Sequence, residues 1–367
     1  MVNRPLRVAH INTEKTWRGG EQQAFSLIQG LNRKGHTNWV VARKNSLFFE
    51  RTNNAGMSVH AVRPFAEWDF LTACSVRRWL IREKIDIVHA HASHAASLGA
   101  LATLGTQIPL VISRRVDFHL SNNPFSKWKY NRAKKILAIS KGVRHVLLED
   151  GILGENIELV PSGIDFSRYQ GVAKISHEEM GVPKDSFVIG QVAALEDHKD
   201  QETFLKAMSL LKKDIPQARA VLVGNGSLYS HLQDLTKSLE LEETVFFLGY
   251  QDKPLNFLAG FDVFCLSSKL EGLGTSLLDA MALRVPVVAT RTGGIPEIVE
   301  NGETGYLVSP RNPSELAGAL SHLIESGQPS PKILQNAFEK AKKFEIIHTI
   351  SKTEEIYRYL SNKRNIL

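Results

Sequence analysis

Cysteine is nearly missing from this sequence. Only Cys74 and Cys265 occur in 367 residues, each within an apolar stretch. That argues against a disulfide framework and for a reducing, cytoplasmic setting. No cysteine/histidine cluster has metal-ligand spacing, and no D-x-D carboxylate pair occurs, so no metal is expected. Long hydrophobic runs are also missing: no apolar segment reaches the roughly 18 residues that a membrane span needs. The leading "MVNRPLRVAHINT" lacks the apolar centre of a signal peptide and reads as a charged lead into a first strand. Low-complexity tracts are absent too. The remainder, 43% hydrophobic and 23% charged, is the composition of a globular protein.

Charge is present but unevenly placed. Residues 1–163 hold 23 Lys/Arg against 12 Asp/Glu, and residues 164–367 hold 22 against 26. The net values, +11 and −4, account for the overall +7. A basic first half suggests an anionic partner: a phosphorylated substrate, a lipid surface or nucleic acid.

The length exceeds what one core usually supports, so two domains are expected. Each half opens with a strand, a polar loop and an amphipathic helix. In the first these are "LRVAHINT", "EKTWRGG" and "EQQAFSLIQGLNRKG". In the second they are "FVIGQVAAL", "EDHKD" and "QETFLKAMSLLKK". Further strands are expected at "NWVVAR", "DIVHA", "PLVIS", "KILAIS" and "IELVPS", then at "RAVLVGNG", "VFFLGY", "FDVFCLSS" and "VPVVATRTGG". Strands alternating with helices predict an α/β fold with parallel sheets covered on both faces. The expectation is two Rossmann-like domains, 1–163 and 164–345, joined near "VPSGIDFSRYQGVAK" where Pro161 and Gly163 break the periodicity. After a loop around "SGQPSPK", a final helix pattern, "FEIIHTISKTEEIYRYLSNKRN", is expected to cross back onto the first domain over 346–367. Ligands of such sheets sit at strand carboxyl ends, so the cleft between domains is the expected site.

One stretch, "KLEGLGTSLLDAMA" (269–282), follows a predicted strand and runs into a predicted helix. Unpaired backbone N–H groups and the helix dipole at such a junction favour a phosphate, and Gly272 and Gly274 allow close approach. A dinucleotide fingerprint fails here. Position 277 is leucine rather than a third glycine, and the motif is not in its domain's first strand–helix unit. Taken alone, Glu271 is a solvated loop acid and Asp279 a first-turn helix acid favoured by the dipole.

Taken with "VPVVATRTGGIPEIVENGETGYLV", where Gly293, Gly294, Pro296, Glu297, Gly302 and Gly305 recur in the usual pattern, the stretch resembles the donor site of the family 4 retaining glycosyltransferases. These have the GT-B fold, two Rossmann-like domains facing across a cleft. The resemblance extends over nearly the whole chain. It implies that Glu271 holds donor-sugar hydroxyls, that amides around Gly274, Thr275 and Ser276 take the diphosphate, with Gly272 and Leu273 also on the donor side, and that Asp279 takes the ribose hydroxyls. Asp279 stands where the family has glutamate, so its arm is shorter by one C–C bond, about 1.5 Å.

In the family an arginine and, five residues on, a lysine meet the diphosphate. Here the arginine position is Ala194, while Lys199 fits, with His198 or Arg18 as candidates to make up the missing charge. "WRGGEQQ" matches the family's glycine loop, which gives Gly19 and Gly20 as donor-side residues and Arg18 on the acceptor side. "DIVHAHASHAASLG" resembles the family's H-x-H element, with His91 as the residue near the sugar. It serves either as a hydrogen-bonding wall or as a catalytic group, and His94 is the alternative and an acceptor-side candidate. Ser140 reads as a helix N-cap.

"NPFSKWKYNRAKK" mixes Phe125, Trp128 and Tyr130 with Lys127, Lys129, Arg132, Lys134 and Lys135. Such a mixture suits single-stranded nucleic acid, an anionic membrane, or simply a solvated basic helix with inward aromatics. With the resemblance, a lipid acceptor on a membrane is favoured over nucleic acid.

The resemblance thus implies a retaining transferase, with Glu271, His91 and Lys199 as the catalytic candidates. It would move sugar from a nucleoside-diphosphate sugar, UDP-linked by family weight, to a glycan or glycolipid hydroxyl in envelope or lipopolysaccharide synthesis. It would need no metal or other cofactor and would work in the cytoplasm, at most peripherally on the membrane. The alternatives are a nucleotide-sugar epimerase or hydrolase on the same fold, or an inactive binding protein.

Overall fold

The computed structural model describes residues 4–327 and 330–364. Met1 to Asn3 of the expected lead, Gln328 and Pro329 of the "SGQPSPK" loop, and Asn365 of the final helix pattern lie outside the described residues. The chain divides into two compact units. One runs to Gly163 and resumes at Ile346; the other spans Ile164–Glu345.

In the first unit, seven strands form one parallel sheet: β1 (Arg7–Asn12), β2 (Thr37–Arg43), β3 (Ser58–Val62), β4 (Ile87–Ala90), β5 (Leu110–Arg114), β6 (Lys135–Ala138) and β7 (Ile157–Leu159). Their order is β3-β2-β1-β4-β5-β6-β7, so the sheet reverses direction of growth between β1 and β4. The inner strands are buried throughout, as Ile87–Ala90 and Leu110–Arg114 show. That is the consequence of covering both faces with helices. The helix Leu47–Asn54 and strand β3 were not visible in the sequence pattern. β3 is an edge strand with only Val62 buried, so no continuous apolar run marks it.

The helix Ile346–Arg364 belongs to this unit, because its apolar side chains complete the core under β1. Ile350, Ile356, Tyr357 and Leu360 pack with Leu6, Val8, Leu27 and Leu31. Lys34 and His36 both meet Glu354, at 2.7 and 3.2 Å. The closeness of this packing needs Gly163, where a Cβ would lie 2.6 Å from the Cα of Ile346. Gln23 brackets the same glycine, donating to its carbonyl at 2.7 Å and accepting from its amide at 3.1 Å.

The second unit holds six parallel strands: β8 (Phe187–Val192), β9 (Ala218–Val223), β10 (Val245–Gly249), β11 (Val263–Leu266), β12 (Val287–Thr290) and β13 (Tyr306–Val308). The order β10-β9-β8-β11-β12-β13 again reverses, here between β8 and β11. Only the three-residue β13 went unassigned in the sequence, hidden in a glycine-rich motif. Cys265 is buried in this core, whereas Cys74 is exposed, a correction to the apolar setting expected for it. Cys74 lies on the outer side of the helix Phe70–Arg82, while Ala73, Val76, Trp79 and Leu80 turn inward. Among the described residues no helix is long and apolar enough to cross a membrane.

Candidate functional site

In an open parallel sheet the loops leaving two strands on either side of the reversal point diverge and leave a crevice. In the second unit these are the loops after β8 and β11, and side chains from both meet there. Lys199 lies in a short 3-10 turn, Asp197–Lys199, and its ammonium forms an ion pair with the Oε2 of Glu271. Ser268 also donates to Oε2, at 3.2 Å. The two loops are pinned by their backbones: the Ser267 hydroxyl donates to the carbonyls of Lys199 and Asp200, at 3.1 and 3.0 Å. The amide of Lys269 donates to the carbonyl of His198 at 2.9 Å. Behind them the Gly294 amide donates to the Glu271 carbonyl at 2.9 Å, so the Gly293–Gly294 turn braces the same loop.

The helix Thr275–Ala282 follows Glu271 after the Gly272–Leu273–Gly274 turn. Its cap is Gly274, at φ +86°, a left-handed conformation open to glycine at no steric cost. A glycine cap brings no side chain to the first turn, so the dipole and the leading amides face outward from the loop. One turn along, Asp279 accepts a 2.6 Å hydrogen bond from the hydroxyl of Tyr169, and Arg168 stands 3.8 Å from the same oxygen. Burial raises the Asp279 carboxyl above its ordinary range, against the opposing pull of Arg168 and then Tyr169.

The first unit has its own cluster at the reversal between β1 and β4. Glu21, buried in the first turn of the helix Gly19–Arg33, accepts from Asn12 Nδ2 and from the Arg18 amide, both at 3.0 Å. It thereby ties the end of β1 to the helix start. Gly19 and Gly20 lie inside that helix rather than in a loop before it, a correction, because the Glu21 bond to the Arg18 amide closes the first turn early. Arg18 is exposed at the cap. His94 is also exposed and faces Glu67 at 3.4 Å.

His91 is buried, and the fold brings it together with His10 and His89, their nearest ring nitrogens within 4.8 Å of one another. The sequence spacing gave no sign of such a cluster, because its members come from two strands. The protons along it can be assigned. Asn38 donates through Nδ2 to Asn32 and to the His36 carbonyl, so its Oδ1 must accept from His10 Nε2 at 3.0 Å. His10 Nδ1 therefore accepts from His91 Nε2, also at 3.0 Å, and His91 Nδ1 accepts from Arg115 at 3.3 Å. His89 bonds Ser113 at 2.8 Å and the Tyr357 hydroxyl.

Burial, then the neighbouring cations and imidazoles, holds His89 and His91 well below the ordinary histidine range and His10 at about 4. Neutral imidazoles are potential metal ligands. Here the lone pairs of His10 and His91 are already taken by protein donors, and the Arg115 guanidinium lies against them. The arrangement is a hydrogen-bonded chain ending on Arg115, whose own Nε is shut from solvent without a partner. Burial lowers Arg115 to about 10.

Comparison with known proteins matches both units. Residues 17–168 match the model of Glycosyltransferase Family 4, and residues 173–344 that of Glycosyl transferases group 1. The chain belongs to glycosyltransferase family 4. It is a GT-B glycosyltransferase related to those of bacterial envelopes. The N-acetyl-alpha-D-glucosaminyl L-malate synthase of Bacillus anthracis is 26% identical over 85% of this chain and 84% of its own length. An Escherichia coli galactosyltransferase acting on GlcNAc-diphosphoundecaprenol is 22% identical over 79% of each chain. Among solved structures, Anabaena HepE in complex with UDP and glucose superposes with a TM-score of 0.84. It is 23% identical, over 96% of this chain and all of that one.

For this family 4 chain, the structure brings Lys199, Glu271 and the Gly272–Ser276 turn to one place, with Asp279 on the adjoining helix. Tyr169, Asn12, Glu21, Arg115 and Tyr357 went unnoticed in the sequence. Arg115 had a signal, since "RR" directly follows the predicted strand "PLVIS". Tyr169 had none, because its partner is 110 residues away. Ser140 does cap its helix, accepting from the Val143 amide at 3.0 Å.

Proposed function

We propose that this family 4 enzyme is a retaining, metal-independent transferase that moves a sugar from a UDP-sugar to a hydroxyl of an envelope glycan or glycolipid. The observation that carries the reading is the Lys199–Glu271 pair at the strand reversal, one turn ahead of a helix N-terminus whose glycine cap brings no side-chain partner. This pairing holds both groups in neutralised form. A diphosphate arriving at the helix N-terminus competes for Lys199 and releases the Glu271 carboxylate to accept from sugar hydroxyls. Charge that develops on the departing diphosphate is then met by Lys199 and the helix amides, with no reorganisation at the moment of bond breaking.

In the retaining reading, the acceptor hydroxyl attacks on the leaving-group side and a phosphate oxygen receives its proton. The cation-like sugar is stabilised by position and charge rather than by a protein nucleophile. His91 fits a wall role better than proton transfer, since both its ring nitrogens are engaged and it is held neutral. The HepE complexes with UDP and UDP-glucose support the donor class as a property of a similar fold.

The test is incubation with UDP-glucose, UDP-galactose and UDP-N-acetylglucosamine against a panel of soluble and lipid-linked acceptors. UDP release is followed, and the anomeric configuration of the product is read by NMR. An acceptor-dependent product with the donor's α configuration is expected. An inverted product sinks the retaining mechanism. Donor consumption that ignores the acceptor favours the hydrolase or epimerase reading, and no nucleotide binding at all favours an inactive scaffold.

A further inference from the structure

The first unit displays a set of large apolar side chains that its own core leaves uncovered. Phe65, Trp68, Phe70, Leu71 and Ile81 are 77, 60, 59, 81 and 58% exposed. They fall within one stretch, the loop after β3 and the helix Phe70–Arg82. At 100° per residue, the helix places Phe70, Ile81, Cys74, Arg78, Leu71 and Arg82 on one arc of roughly 120°. Ala73, Val76, Trp79 and Leu80, on the opposite arc, are buried. The helix therefore has two apolar faces, and only one is used by the fold.

The loop is tied to the start of its helix by one side chain. Asp69, itself buried, accepts from the Phe65 amide at 3.2 Å, the Thr72 amide at 2.9 Å and the Thr72 hydroxyl at 2.6 Å. Trp68 stacks on Phe125 at 5.1 Å and 6°, and Phe125 stacks on Trp128 at 5.4 Å. The display thus continues onto the helix Pro124–Asn131. Within that helix Tyr130 turns inward, as a basic helix with inward aromatics would have it, but Lys129 is buried as well, a correction to the solvated position expected for it. Lys127 stays exposed.

Charge identifies the occupant. From residue 63 to 82 the exposed charges, Arg63, Arg78 and Arg82, are all cationic, with Arg82 paired to the half-buried Glu83 at 3.2 Å. The two acids of this stretch are occupied: Asp69 as above, and Glu67 by Lys129 and His94, each at 3.4 Å. Aromatic and aliphatic side chains rimmed by arginines, with no exposed acid, match the boundary of an anionic bilayer. There rings enter the headgroup region and guanidiniums meet lipid phosphates.

We propose that Phe65–Arg82, extended by Phe125 and Lys127, seats the first unit on an anionic membrane surface. Glu67 links this surface to His94, so a hydroxyl carried on a lipid headgroup arrives beside an acceptor-side candidate. That consequence, unlike the docking itself, rests on the proposed transferase function.

The test is flotation of the full chain with vesicles of neutral phosphatidylcholine, alone or with 30% phosphatidylglycerol as the chosen probe, at low and physiological salt. Wild-type protein should partition onto anionic vesicles and less onto neutral ones. Phe65→Ser with Leu71→Ser, both exposed and so compatible with folding, should lower the partition coefficient at least about tenfold. Arg78→Glu should abolish the preference for anionic lipid. Leu148→Ser, an exposed apolar change elsewhere, should leave binding unaltered.

Equal binding of the double variant and wild type overturns the proposal. So does wild-type protein that ignores vesicles while light scattering shows a dimer that the double variant dissolves, which would assign the surface to a second copy. Transfer to a water-soluble acceptor should be the same in wild type and double variant. Its absence from both counts against the transferase reading and leaves the docking result standing.

Discussion

The hydroxyl of Tyr169 donates to the carboxylate of Asp279 at 2.6 Å, joining the entry segment of the second unit to the helix behind its glycine turn. Asp279 has the shorter of the two acidic side chains, so its position depends on what holds it. Tyr169 engages one oxygen and leaves the other for a ligand. Asp279→Ala is expected to weaken UDP binding about 10- to 150-fold, the value of one charged hydrogen bond. Tyr169→Phe should weaken it less, about 3- to 10-fold, and the double variant should be no weaker than Asp279→Ala alone. Calorimetry checks this. Additive losses would mean that Tyr169 meets the nucleotide itself or acts elsewhere.

Glu271 and Lys199 neutralise each other as an ion pair, yet their removal should have different signatures. Glu271→Gln should lower turnover at saturating donor at least 10-fold with UDP binding retained. Lys199→Met should weaken UDP binding as well. Initial rates and calorimetry separate the two. Wild-type turnover in Glu271→Gln would remove that residue from the site.

The histidine cluster predicts acid sensitivity of the first unit. Above about pH 6.5 the imidazoles are neutral in both folded and unfolded chains. Below it the unfolded chain takes up protons that folded His10, His89 and His91 refuse, so stability falls as pH falls. The window runs from about 6.5 down to about 4, where His10 titrates in the folded chain. Each refusing histidine costs about 1.4 kcal/mol per pH unit inside that window. The apparent melting temperature should therefore drop steeply between pH 6.5 and 4.5, and His10→Gln should flatten the slope. An unchanged slope in that variant would show the acid sensitivity to lie elsewhere.

Gly163→Ala should loosen the final helix, since the new Cβ would meet backbone atoms of Ile346 at 2.6 and 2.8 Å. Backbone cannot step aside as a flexible side chain does. A loss of about 1–3 kcal/mol is expected, read by denaturation and by faster amide exchange across Ile346–Arg364. Exchange unaltered in this helix would show that the contact relaxes freely.

Most strands were legible because buried parallel strands are short unbroken apolar runs, as in "DIVHA" and "FDVFCLSS". β3 and β13 were not, since an edge position or a glycine-rich flank removes that signature. Lys199, Glu271 and the glycine turn were legible because they lie in the loops that strand–helix alternation places at strand carboxyl ends. Cys74 was misread because periodicity reveals that a helix has two faces without saying whether both are covered.

By itself, then, the sequence determined local matters: where most strands and helices fall, where the glycine turn lies, and which family's pattern the loop around it follows. These depend on spacing, propensity and glycine placement within a few dozen residues. Tertiary structure alone decided the pairings. Tyr169 reaches Asp279, His10 gathers with His89 and His91 against Arg115, and Phe65 to Ile81 are left without a cover. Each joins or leaves apart groups that chain order does not relate. Which side chains meet is set by the order of strands in the sheet and by packing against neighbours, and neither is written in any single stretch of residues.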